Sequence, residues 1–201
     1  MNARTYWENR YNGDRRWKGT PNPLLVATVS GEKPGRALDL GCGEGGDAVW
    51  LAREGWQVTA VDIAESALRR TIEHAEANGV HVTTERHDLG ETFPGGPFDL
   101  INAQYLLTPF DFDRAAALRE AAGALAQGGL LLIVDHGSLH PWSTAPADTY
   151  FPTPQEVYDG LGLDPSRWQP ERLEAPQREA KGPNGQIATV TDTVVAVRSR
   201  A

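Results

Sequence analysis

Residues 39–46 place two carboxylates, four glycines and a thiol close together: Asp39, Gly41, Cys42, Gly43, Glu44, Gly45 and Gly46. The apolar residues just before them read as a β-strand, and the amphipathic stretch 48–54 reads as a helix. Glycines between a strand and a helix let the backbone take positive φ and let a ligand come close to the main chain. Unpaired N–H groups at the helix start then face that ligand. The chemistry implied is the holding of a small polar cofactor. Cys42, the single cysteine, reads as a small buried filler of the turn, and it excludes an internal disulfide.

Further residues that could touch such a ligand recur at regular intervals. Strands are expected at 57–61, 80–87, 98–103 and 130–134. They are followed by Asp62-Ile63, Asp88-Leu89, Gln104 and His136. Between them lie expected helices over 66–78, with Leu68, Ile72 and Ala75 inward, and from Asp111 or Asp113 to 126. Strands separated by helices make a parallel α/β sheet with right-handed crossovers, and ligands bind at the carboxyl ends of such strands. Segments 172–180 and 186–198 alternate in the β manner around a Gly-Pro-Asn-Gly turn, which predicts a C-terminal antiparallel hairpin. Short helices are expected around 6–11 and 24–30, and Thr153-Pro154-Gln155-Glu156 reads as a helix start.

The chain as a whole narrows the field. Its 201 residues suit a single domain, 1–201, with a full core. A formal net charge of −8 disfavours nucleic-acid partners. No apolar run approaches the ~20 residues of a membrane span, so no membrane partner and a cytoplasmic location are expected. His136 and His140 stand H-x3-H apart, but Gly137 and Pro141 argue against a helix presenting both to a metal, so no metal is expected.

Two templates fit the glycine stretch. Gly41, Gly43 and Gly46 satisfy the dinucleotide pattern G-x-G-x-x-G, with Asp62 as the ribose acid, which leaves a nicotinamide-dependent oxidoreductase open. Asp39, Gly41, Gly43 and Gly45 satisfy D-x-G-x-G-x-G, which resembles motif I of the class I S-adenosylmethionine-dependent methyltransferases. Val61-Asp62-Ile63, His87-Asp88-Leu89, Phe98 to Gln104 and Gly128-Gly129 resemble that family's later motifs. The resemblance implies a Rossmann-like, mostly parallel seven-stranded sheet with helices on both faces and the terminal hairpin. It implies S-adenosyl-L-methionine as cofactor and S-adenosyl-L-homocysteine as product. By the same resemblance Asp62 takes the ribose hydroxyls, Asp88 the adenine amino group with Leu89 beside the ring, and Gln104 lies near the methionine moiety. Asp39 either caps the turn or meets the methionine amino group. Tyr6-Trp7, Tyr11 and the stretch from Trp17 to Pro23 are similar to the small tellurite-resistance and thiopurine-methyltransferase-like members, which implies that 1–30 is a helical lid with Trp7, Tyr11 or Trp17 over the cofactor.

The expected reaction is in-line displacement of the methyl group onto a small-molecule acceptor, with 137–170 roofing the acceptor pocket and His136 as the candidate base. A monomer or homodimer is expected. A protein that binds the cofactor without turnover is the remaining alternative.

Overall fold

The computed structural model describes residues 1–13 and 19–200. Two helices, α1 (Ala3–Tyr11) and α2 (Pro23–Val29), precede β1 (Arg36–Leu40). The chain continues through α3 (Gly46–Arg53), β2 (Gln57–Asp62), α4 (Glu65–Ala77) and β3 (Thr83–Arg86). It then adds β4 (Phe98–Gln104), α5 (Arg114–Gly123), β5 (Leu125–His136) and α6 (Pro154–Leu161). The tail forms β6 (Trp168–Glu174), β7 (Gln177–Lys181) and β8 (Ile187–Ser199).

The strand order is β3-β2-β1-β4-β5-β8-β6, with β7 on β8 alone. The first five strands are parallel, and β6, β7 and β8 join antiparallel. The chain starts in the middle, winds out to β3 and returns to β4, so the strand order reverses between β1 and β4. A crevice opens at such a point, and it is where ligands sit in this class of sheet.

Strand periodicity explains the two cores. Leu130, Leu132 and Val134 of β5 face α2 and α3, while Leu131 and Ile133 face α5 and α6. All five are buried, as a strand covered by helices on both sides requires.

Several boundaries differ from the sequence expectation for identifiable reasons. The strand expected over 172–180 breaks at Ala175-Pro176 into β6 and β7, which pair with opposite halves of β8. Pro176 has no N–H for a ladder, and its carbonyl instead accepts the Asp192 N–H at 3.0 Å. Helix α5 stops at Gly123, because the Ala124 carbonyl turns aside to accept the Phe98 N–H at 2.9 Å. β3 is four residues, shorter than expected. Ile72 is 41% exposed, and Leu68, Thr71 and Ala75 form the inner face of α4. That rotation brings the Thr71 hydroxyl to the Gly43 carbonyl at 3.1 Å.

Candidate active site

Gly41, Gly43 and Gly45 take φ of +68°, +55° and +79°, so the turn needs glycine at alternate positions. Its fit to the surroundings is close. A Cβ on Gly41 would lie 2.8 Å from Leu106 Cδ1, and one on Gly45 2.8 Å from the Thr71 side chain. The Cys42 N–H donates to the Val61 carbonyl at 2.9 Å, tying the turn to β2. Cys42 itself is half-buried against Thr71, and burial with Asp62 nearby pushes its thiol well up, which keeps it protonated and unreactive.

Asp62 stands at the end of β2, under the turn. Its Oδ1 accepts the Ala64 N–H at 3.0 Å and its Oδ2 the Gly43 N–H at 3.1 Å. Burial pushes its carboxyl up to about 6, against the pull of these hydrogen bonds. The Ile63 N–H also stabilises the carboxylate, which keeps capacity to accept from a ligand hydroxyl.

Asp39 belongs to a polar cluster beneath the turn. Asn102 Nδ2 donates to Asp39 Oδ1 at 2.8 Å and reaches Asp47 Oδ2 at 3.3 Å. Asp47 Oδ1 accepts the Asn22 N–H at 2.6 Å. Gln104 completes the ring, accepting from Asn22 Nδ2 at 2.7 Å and donating to Asn102 Oδ1 at 2.6 Å. Burial, and then Asp47, push Asp39 up to about 8. Sequence reasoning missed Asn22, Asp47 and Asn102. Asn22 as the cap of α2 and Asp47 in the first turn of α3 were visible only as local helix signals.

Above these groups lies a cleft of about 770 Å³, including its open mouth. Among the candidate residues, Gly41, Asp62, Ile63, Asp88 and Leu89 line it. Asp39, Cys42, Gly43, Gly45 and Gln104 do not. Trp17 lies outside the described residues. Helix α1 roofs the cleft with Trp7 and Tyr11, and the exit of β4, Tyr105 to Thr108, forms the opposite wall. Trp7 Nε1 reaches Thr108 Oγ1 at 3.4 Å, and Tyr6 meets Phe110 edge-on at 5.5 Å, so the helix bridges the opening.

Two expectations meet a different geometry. No described residue of 137–170 lines the cleft. His136 stands behind Tyr105, their rings stacked at 4.4 Å, and burial pulls its imidazole down toward the neutral form. Among the described residues no group of three or more His, Cys, Asp or Glu is placed to hold a metal, and no helix is long and apolar enough to cross a membrane.

Residues 37–129, from β1 through the start of β5, match the family described as a methyltransferase domain. They form a methyltransferase domain. Its D-x-G-x-G-x-G turn stands beside Asp62 and Asp88 at successive strand ends. A ribosomal RNA small subunit methyltransferase C from Chromohalobacter salexigens is 31% identical over 147 residues, 69% of this chain and 39% of that protein. The chain spans less than half the length of the curated relatives it matches. In fold, the methyltransferase domain with its tail is similar to a solved structure described as converting a disulfide bond into a thioacetal group during echinomycin biosynthesis. That likeness covers 99% of this chain and 93% of the other, with a TM-score of 0.76 at 24% identity. TehB from Haemophilus influenzae, over 100% of this chain and 68% of its own, gives 0.71 at 18% identity.

The cofactor of the family, S-adenosylmethionine, suits the donor set present. A buried carboxylate with remaining acceptor capacity, a second carboxylate at the next strand end and apolar walls from Ile63, Leu89 and Phe112 match a ribose, an amino-bearing base and its ring faces.

Proposed function

We propose that this protein transfers a methyl group to a small-molecule acceptor. The supporting observation is the convergence of Gly41, Asp62 and Asp88 on one cleft roofed by α1. In this reading Asp62 holds the ribose hydroxyls, Asp88 the adenine amino group, and Ile63 and Leu89 the faces of the ring. The Asp39–Asn102–Asp47 cluster supports the methionine end from below. When bound, the cofactor supplies an electrophilic methyl on a cationic sulfur.

The chain's own residues then have three tasks. They orient, through the turn and the two acids. They exclude water, through Trp7, Tyr11 and Phe112 over the cleft. They present His87 and Asp111 to the cleft, while His136 is screened from it by Tyr105. Orientation in such displacements can supply up to ~7–11 kcal/mol of the barrier. A small acceptor is favoured over RNA by the bridge of α1 across the opening and by the formal net charge of −8.

Calorimetric titration with S-adenosylhomocysteine, alongside NADH, tests this reading. Saturable binding of the first alone is expected, followed by methylation of a member of a thiol, amine and phenol panel. Binding of NADH alone would return the protein to the oxidoreductases.

A further inference from the structure

Tyr105, the first residue beyond β4, is the one non-glycine residue among those described with a left-handed φ, +49°. Such a conformation costs energy in a bulky residue and persists only where the surroundings hold it. Its N–H still donates to the Val134 carbonyl at 2.7 Å, so the β4–β5 pairing runs intact up to the turn. The turn parts two neighbouring side chains. Leu106 settles against Gly41, while the Tyr105 ring stacks on His136.

Three groups of the C-terminal half fasten that ring. The Tyr105 hydroxyl donates to Asp192 Oδ1 at 3.1 Å and accepts from Arg178 Nη2 at 3.4 Å. Arg178 Nε donates to Asp192 Oδ2 at 2.5 Å, and Asp192 is fully buried. His136 backs the ring, itself met edge-on by His140. Burial, and then the Asp192 charge, push the phenol up to about 12, so it serves as a hydrogen-bonded post and not as a base. On the other side of the turn, Arg114 Nε holds the Leu106 carbonyl at 2.9 Å and its Nη2 clasps both oxygens of Asp135 at 2.7 Å.

The sheet order says which part of the bound cofactor faces this wall. With adenine at Asp88 beyond β3 and ribose at Asp62 on β2, the molecule lies along strand ends in the order β3, β2, β1. The next strand end, that of β4, faces the remaining end, which carries the transferable methyl. Tyr105 lines the cleft there beside Gly41.

We propose that Tyr105 sets the position of the methyl donor, and that Arg178 and Asp192 of the C-terminal hairpin are positioning residues that act through its hydroxyl. This rests on the methyl-transfer reading above. It gives the hairpin, which contributes nothing to the cleft lining, a part in the reaction.

The test uses the full chain and S-adenosylmethionine labelled with ¹³C at the methyl, whose bound resonance reports the packing around it. Arg178→Met and Tyr105→Phe should each move or broaden that resonance. Arg178→Lys should bring it part of the way back, and S-adenosylhomocysteine affinity should stay within about threefold in all three. Tyr105→Phe keeps the ring and guards against an unfolded Arg178→Met. A resonance unmoved in both Tyr105→Phe and a folded Arg178→Met would overturn the proposal. Failure of the unaltered protein to bind either form of the cofactor would instead remove the methyl-transfer reading, and this inference with it.

Discussion

The Gly43 N–H donates to Asp62 Oδ2 at 3.1 Å, so the turn between β1 and α3 is closed by the acid that ends β2. One carboxylate therefore shapes the main-chain cradle and offers its remaining acceptor capacity to the cleft. Replacing Asp62 with Ala removes both. S-adenosylhomocysteine affinity should fall by ~1–3 kcal/mol, the usual loss for a hydrogen bond to a charged group. Calorimetry checks this, and unchanged affinity would exclude the ribose role.

The raised carboxyl of Asp62 makes a signed pH prediction. In the unfolded chain it titrates near 3.8, and in the free folded protein near 6. Between these values the folded state retains a proton that the unfolded state has lost. Its stabilising contribution is therefore full below about 3.8 and lost as pH rises through about 6. Asp62→Asn, which cannot ionise, should gain thermal stability relative to the unaltered protein as pH goes from 4 to 7. Cofactor binding has the opposite sense, since hydroxyl donors favour the ionised acid. Affinity should weaken as pH falls below about 6, by at most about tenfold per pH unit.

Two glycines with left-handed φ separate backbone strain from packing. A Cβ at Gly79 meets nothing within 4 Å, whereas one at Gly45 comes within 2.8 Å of the Thr71 side chain and 3.0 Å of its Cα. Gly79→Ala should cost roughly 1–2 kcal/mol, the left-handed penalty alone. Gly45→Ala should add a further ~1–3 kcal/mol of overpacking. Urea denaturation midpoints compare them directly, and equal losses would mean that α4 yields at Thr71.

Helix α4 is capped from outside itself. Its N-cap residue, Ala64, has no side-chain acceptor, and the carboxylate of Glu8 in α1 takes the Glu65 and Ser66 N–H groups at 2.8 and 3.0 Å. Glu8→Ala should cost roughly 0.5–2 kcal/mol, the range for loss of a cap. It should also speed S-adenosylhomocysteine release in stopped-flow displacement, because the same contact holds the roof of the cleft. Lost stability with unaltered release would show that α1 is not the gate.

Buried and exposed apolar positions should respond unequally. Leu132 is fully buried in β5, and Ile187 at the start of β8 is 66% exposed. Leu132→Ala should cost about 2–5 kcal/mol, and Ile187→Ala within about 0.5 kcal/mol. Chemical denaturation of both variants gives the comparison.

Much of this molecule was legible in the residues themselves. Glycines at 41, 43 and 45, an apolar run before them and an amphipathic run after them are local patterns, and local dihedral preference and side-chain periodicity decide them. Asp62 and Asp88 could be placed at one crevice because a parallel sheet aligns its strand ends. What could not be read depends on contacts between distant segments. The ring of Asn22, Asp47, Asn102 and Gln104 joins three elements, and each member alone looks like a cap or a strand residue. Glu8 reads as a surface acid until α1 docks on α4. His136 follows β5 as expected, yet the left-handed turn at Tyr105 puts a ring between it and the cleft. Sequence alone determined the order of elements and the donors available at the strand ends, since those follow from short-range sterics and polarity patterning. Only the tertiary structure decided which donors face the cleft, because that depends on how the roof, the β4 exit and the terminal hairpin pack around it.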